Sequence, residues 1–467
     1  MFEIIKNWIL RGVEKMLSKN TIEEALKVKT AISDEMDKAM QLWLKIFTNN
    51  APWLSEEISS LELGSSIAEE FTRLITLEMK SEVTGSPRAA FINDFYQNVL
   101  KELSKKLSLF NAVGGGFLKP YIKDNQIYVD FVPQCNCKPL SFDNAGNISS
   151  IVFISEIAKG DRVYTRLEVH SLFNNIYTIE NKAYVKEISN VNSLGIPIEL
   201  SSVNEWSKLK SKTTIKNVNK PLFAYYKVPL ANNIDYMSCL GISVYHKAIE
   251  SLKKADIQAS RLDYEYESGE RSIYADVSAL QNKNGTAKKQ KLIKTLDTNE
   301  DGFYKEFSPS LRDDAYIRGL NKIKQDIEFQ VHLSYGTISD PSIVEKTATE
   351  INASKQRSYS SVKQMQESLE NALRQLVYIL EVYCDLYNLA PGGKCEVSAD
   401  WDDSIIENKD EEKIMAMQEV NAGLKSKKKY LMEIYGLSED EAEKELEEIR
   451  KQNKGFEPLD SKLIEDE

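Results

Sequence analysis

EKTATEINASKQRSYSSVKQMQESLENAL, residues 345–373, holds no glycine or proline, and none follows before Pro391 and Gly392. Thr347 and Glu350 have the T-x-x-E spacing of a capping box, which marks a helix start. An unbroken helix of roughly 40 residues, on the order of 60 Å, is therefore expected. Its first half is polar on every side, and such a helix is not stable by itself. Its second half turns apolar at Val362, Met365, Leu369, Leu373, Leu376, Leu380, Tyr383 and Tyr387. The polar half of this rod must find its partners elsewhere.

Before the rod, YGTISDPSIVEK (335–346) reads as a loop. Gly336 can end a preceding helix in a left-handed conformation, and Pro341 keeps helix from re-forming until Thr347. That preceding helix is LRDDAYIRGLNKIKQDIEFQVHLSY (311–335), and ISVYHKAIESLKKADIQASRLDYEYES (242–268) reads as another. Between the two lies a β-rich insert, 268–310, with RSIYADVSAL, QKLIKTLD and GFYKEFSPS as strands. A loop within it carries Lys283, Lys288, Lys289 and Lys291.

Further upstream, FLKPYI, QIYVDFV, ISSIVFISEIA, RVYTRLEVHSLF, NIYTIE and KAYVKEI alternate between turn signals, as in a meandering antiparallel sheet. Residues 1 to about 110 read as helices, among them LSEEISSLELGSSIAEEFTRLITLEMK and FINDFYQNVLKELSKKLSLF. MFEIIKNWILRGVEKML, at the N-terminus, carries a 3.6-period apolar stripe suited to docking on the protein's own body rather than a signal peptide. Ser438 and Glu441 cap the final helix of an acidic tail. The class is α+β, in two to four domains.

Net charge is −11, and residues 400–467 hold 21 Asp and Glu against 11 Lys and Arg, so that tail accounts for −10 of it. A chain that grips nucleic acid by counterion release is normally basic. Five cysteines without disulfide spacing suit a reducing cytosol, and the lone C-x-C of Cys135 and Cys137 reads as two incidental or buried thiols. No window is apolar enough to cross a membrane. His170, His246 and His332 stand in unrelated contexts, each better read as a core or surface residue than as a ligand or base. No phosphate loop, nucleophile elbow or H-E-x-x-H is present, and Gly114–Gly116 reads as a tight strand entry. Neighbouring carboxylates such as Asp402 with Asp403 point to different faces. No catalytic site, metal site or cofactor is expected, and architecture must carry the function.

The ordered set GGGFLKPYI, DFVPQCNCKPLSFDNAGNISSIVFISE, PLFAYYKVPLANNIDYMSCLGISVYHKAIESLKKAD, SPSLRDDAYIRGLNKI and KTATEI resembles portal proteins of tailed bacteriophages, or prophages, of Gram-positive bacteria. It runs from about residue 60 to residue 440. The C-x-C around Asn136 departs from the family pattern. The resemblance implies a mainly helical portal fold: a wing over 1–240 with an antiparallel β-rich part, stem helices over 241–267 and 311–334, a small α/β clip over 268–310, a tunnel loop over 335–346, a connecting helix over 347–390 and a helical crown over 391–467. It implies a homo-oligomeric ring, commonly of twelve subunits, at one capsid vertex, assembled in the host cytoplasm and built into the virion. Double-stranded DNA passes through it without sequence specificity. The implied partners are the terminase large subunit, a head-tail adaptor, and the major capsid and scaffolding proteins.

In such a ring Thr337, Ile338, Ser339, Asp340, Pro341 and Ile343 would line the channel, and Lys283, Lys288, Lys289 and Lys291 would dock a partner. Arg357 and Lys363 would meet the neighbouring subunit, answering the rod's lack of an apolar face. Solvated charges are the alternative for both cationic sets. Another connector or scaffolding protein, or more distantly a nucleic-acid enzyme, remains the competing reading of the whole.

Overall fold

The computed structural model describes residues 17–453 apart from 78, 125, 191–192, 271, 277–292, 297–303, 344–347 and 402–408. The apolar stripe over residues 1–16 and the four insert lysines lie outside the described residues. The chain divides into two units, 1–401 and 402–467.

The larger unit begins with helices α1 (Lys19–Leu26), α2 (Asp34–Phe47), α3 (Leu63–Thr76) and α4 (Pro87–Val113). Ser18, Ser33 and Ser86 cap α1, α2 and α4, each hydroxyl accepting a first-turn N–H. The segment before α3, expected as helix from residue 54, is not helical. Its polar groups are drawn to the helix α5 (Ile249–Ser268). There the Asp256 carboxylate accepts from Trp53 Nε1 at 2.8 Å and from the Leu61 N–H at 2.9 Å.

After α3 comes a strand the sequence reading missed, β1 (Met79–Thr84). Its partner, β14 (Glu396–Trp401), pairs with it antiparallel from Met79↔Trp401 to Thr84↔Glu396. Residues 391–401, expected at the head of the crown, therefore fall in the larger unit.

The glycine run enters the sheet region by close backbone approach. Gly114 ends α4 with φ +91°, and a Cβ there would stand 2.4 Å from the carbonyl of Gly241. The expected single meander is two sheets. One is β10 (Ala224–Lys227), β2 (Gly115–Lys123) and β3 (Gln126–Pro133), in that order. The other runs β4 (Cys137–Phe142), β5 (Ile148–Lys159), β6 (Arg162–Phe173), β7 (Ile176–Glu187) and β8 (Ile196–Ile198). NIYTIE and KAYVKEI are thus one continuous strand, whose free edge is shared between β8 and β9 (Lys212–Lys216).

Aromatic side chains join the sheets: Phe117 of β2 meets Phe153 of β5 edge-on at 5.6 Å and stacks on Tyr225 of β10 at 4.5 Å. Beside them Glu168 of β6 binds the buried Lys119 of β2, Arg166 at 3.0 Å and His170 at 3.0 Å. His170 Nδ1 lies 2.6 Å from the Tyr177 hydroxyl. Burial would raise the Glu168 carboxyl, but Lys119, His170 and Arg166 outweigh it and hold the group well below the ordinary range. A second buried pair, Lys138 with Asp37 at 2.6 Å, ties β4 to α2. Cys135 and Cys137 are buried, and burial pushes the Cys135 thiol up to about 12, where it is inert.

Helix α5, expected as a stem helix from residue 241, begins at Ile249, after a 3-10 turn at His246–Ala248. It runs antiparallel to α6 (Asp313–Val331): Gln258 Nε2 donates to the Tyr316 carbonyl at 3.5 Å, and Arg312 clasps Glu265 at 2.6 Å. That clasp closes the neck of the insert. The described part of the insert is one sheet, with β11 (Ser272–Asp276) parallel to β12 (Ile293–Leu296) and antiparallel to β13 (Tyr304–Phe307).

The rod is α7 (Ala348–Tyr387), 40 residues long. Asn388, left-handed at φ 50°, follows its last turn. The smaller unit holds α8 (Lys409–Asn421), α9 (Lys427–Tyr435) and α10 (Glu439–Asn453). The expected Ser438–Glu441 box is formed: the Glu441 carboxylate accepts the Ser438 N–H at 3.0 Å, and the Ser438 hydroxyl accepts the Glu441 N–H at 3.4 Å. Among the described residues no helix is long and apolar enough to cross a membrane.

Candidate functional site

The loop between α6 and α7 is built on a polar stripe of α6. Asn321, Gln325 and Glu328 recur at i, i+4 and i+7, and all three are buried, Glu328 completely. A buried carboxylate is costly unless its oxygens are hydrogen-bonded. Here the loop supplies the donors. Ile338 and Ser339 donate their N–H groups to Oε1 at 2.6 and 2.8 Å. Gly336 N–H and the Ser339 hydroxyl donate to Oε2 at 3.3 and 2.8 Å. The next N–H, of Asp340, donates to Asn321 Oδ1 at 2.7 Å.

The helix ends differently from expectation. His332, not Gly336, takes the left-handed position at φ 65°, and its N–H returns to the Glu328 and Phe329 carbonyls. Gly336 is also left-handed, at φ +87°, but within the loop. It holds the third position of a turn in which Thr337 N–H donates to the Ser334 carbonyl at 3.2 Å. A Cβ at Gly336 would press on Pro341 at 3.2 Å.

The rod closes the other side. Ser354 Oγ accepts the Tyr335 N–H at 3.0 Å, and Ser361 Oγ lies 3.1 Å from His332 Nδ1. Burial, and then the charges of Lys247 and Arg357, lower the His332 imidazole below its ordinary value, so it is neutral at pH 7. Ser354, Ser358 and Ser361 form a buried stripe of small residues, so part of the rod's polar half is satisfied within the chain. Arg357 lies over the Phe329 ring at 4.5 Å, joining rod to α6. Lys363, six residues on and half-buried, faces about 120° away at 3.6 residues per turn.

Of the residues expected to line a channel, Thr337, Asp340 and Pro341 are exposed, Ile338 is half-buried, and Ser339 turns its hydroxyl inward. Ile343 ends a 3-10 turn begun at Pro341. The Asp340 carboxylate accepts from the Ser342 hydroxyl at 2.6 Å and the Ser342 N–H at 2.9 Å. Those bonds, the hydroxyl first, hold it below the ordinary carboxylate range, so it is ionised at neutral pH. Thr347, the proposed start of the rod, lies outside the described residues, as do Lys283, Lys288, Lys289 and Lys291.

Sequence reasoning missed Glu328, Asn321 and the rod's serines. The signal was present, since polar residues at i, i+4 and i+7 on a helix that must bury one face call for a polar partner. Among the described residues no group of three or more His, Cys, Asp or Glu is placed to hold a metal. The loop's outward face is small, rigidly framed and negative at one point. A family model described as phage portal protein, SPP1 Gp6-like, matches residues 75–456, from the end of α3 past the end of α10. No curated protein matches the chain.

Proposed function

The chain belongs to the SPP1 Gp6-like family of phage portal proteins, and from that premise we propose that residues 335–346 line the narrowest part of its DNA channel. A portal protein is a structural protein of the virion, an oligomeric ring at one capsid vertex through which the genome is packaged, retained and ejected. Twelve copies, assembled in the cytoplasm of a Gram-positive host, make the ring. Within each copy 1–240 forms the wing, 241–267, helical from Ile249, and 311–334 the stem, 268–310 the clip, 347–390 the connecting helix and 391–467 the crown, whose first strand β14 pairs with β1 of the wing. Terminase and the head-tail adaptor dock at the clip through Lys283, Lys288, Lys289 and Lys291, while capsid and scaffolding proteins surround the ring. Arg357 and Lys363 lie toward the subunit boundary.

The observation that carries the channel reading is a loop whose backbone is hydrogen-bonded to both flanking helices while Asp340 stays exposed and ionised. A fixed negative charge repels DNA phosphates over about a Debye length, ~8 Å at physiological salt, and so favours sliding over sticking. Asp340→Lys is expected to leave rings and procapsids normal and to lower the DNA packaged per capsid. Packaging of full-length DNA at the wild-type rate would remove 335–346 from the channel wall.

A further inference from the structure

Resting on that reading of the loop, we infer that Glu328 is the positioning residue of the channel loop, fixing its shape from inside α6 without facing the channel. The loop has little apolar material to hold it. Between Leu333 and Pro341 the only large aliphatic side chain is Ile338, which is half-buried. What holds the segment is one fully buried carboxylate that receives three consecutive-turn N–H groups and one hydroxyl, at 2.6 to 3.3 Å. Hydrogen bonds to an ionised acceptor are about twice as strong as neutral ones. All four donors come from residues 336–339, so a single side chain determines where the next residue, Asp340, emerges. Asn321, seven residues or about two turns earlier on the same face, receives the Asp340 N–H and sets the exit direction. The left-handed Gly336 lets its own N–H and those of Ile338 and Ser339 converge on the two oxygens of one carboxylate.

The consequence is that the geometry of the constriction depends on a group that never touches DNA. The test is hydrogen exchange across 333–343 in assembled, full-length rings of Glu328→Gln. The amide is the same size but offers one acceptor oxygen and turns an NH2 toward backbone donors. Exchange at 336–340 is expected to accelerate about ten- to a hundredfold, the scale of lost charge-assisted bonds, while α5 exchanges as in the wild type. Ser339→Ala removes one donor without stranding the charge and should give a smaller local rise, about two- to fivefold. It decides the matter alone if Glu328→Gln does not assemble. Unchanged protection of the loop in either variant, or equal loosening of α5 and the loop, overturns the assignment.

DNA packaged per capsid separates this inference from the channel reading. Loosened exchange with full packaging in Glu328→Gln keeps Glu328 as the positioning residue and takes the loop off the channel. Unchanged exchange in Glu328→Gln with reduced packaging in Asp340→Lys does the reverse.

Discussion

Glu168 shows how far single residues of this chain depend on their surroundings. Its carboxylate is shared by Lys119, Arg166 and His170 at the seam of the two sheets, and its folded pKa is well below the ordinary value of about 4.3. A carboxylate whose pKa is depressed by folding stabilises the native state above its unfolded pKa, and that stability is lost as pH falls through the folded value. Thermal midpoints are therefore expected to drop below about pH 4. Glu168→Gln should be less stable at pH 7, with a shallower acid limb in the same pH series of thermal unfolding. An equally steep limb would place the acid sensitivity elsewhere. His332 gives the complementary lesson. Glycine is the residue one looks for at a helix C-terminus, yet here histidine takes the left-handed position because its ring bonds to Ser361 and its N–H closes the turn. Such a position is invisible to composition, since it depends on a partner 29 residues away. The inward turn of Ser339 was illegible for the same reason, whereas Asp340 and Thr337 stand exposed, as a loop rich in small polar residues suggests.

Elements were legible in proportion to how local their causes are. The rod was read almost to the residue, because an absence of glycine and proline over forty positions is a local fact. The strands β5 and β6 were found from their own alternation. By contrast β1 was read as helix, for its partner comes more than 300 residues later and nothing nearby announces it. Two short strands, NIYTIE and KAYVKEI, proved to be one, β7, and the residue between them is Asn181. It sits mid-strand, where its N–H donates to the Ser211 carbonyl at 2.8 Å. The rod's polar half was correctly read as lacking an apolar face, but its serines proved to be a packing surface of a different kind. Ser358 is 5% exposed, and Ser360, two positions on, faces water. Ser358→Leu should overpack that contact and cost about 1–3 kcal/mol, while Ser360→Leu should stay within about 0.5 kcal/mol. Urea unfolding of the two purified variants compares them directly, and equal midpoints would mean the serine face is not close-packed.

At the scale of the whole molecule, the order of segments carried the family reading, and the family model matches most of the chain. Ring assembly explains why so little of this chemistry is local: no side-chain constellation is needed when the working part is a hole bounded by repeated copies. The four insert lysines belong to this scale, because their proposed role is to meet other components. Exchanging Lys283, Lys288, Lys289 and Lys291 together for Ser is expected to abolish pull-down of the adaptor and terminase while ring yield holds, and retained binding would mark them as solvated charge. The rod has one more consequence, a mechanical one. Its serine end receives the loop at Tyr335 and His332, its middle binds Lys227 of β10 through Ser368, and its far end reaches the Pro120 carbonyl of β2 through the Tyr383 hydroxyl. With no glycine or proline along its length it has no place to hinge. A displacement of the loop that reaches the rod is therefore expected to be felt along it, as far as the sheets some tens of ångströms away, at about 1.5 Å per residue of lever arm.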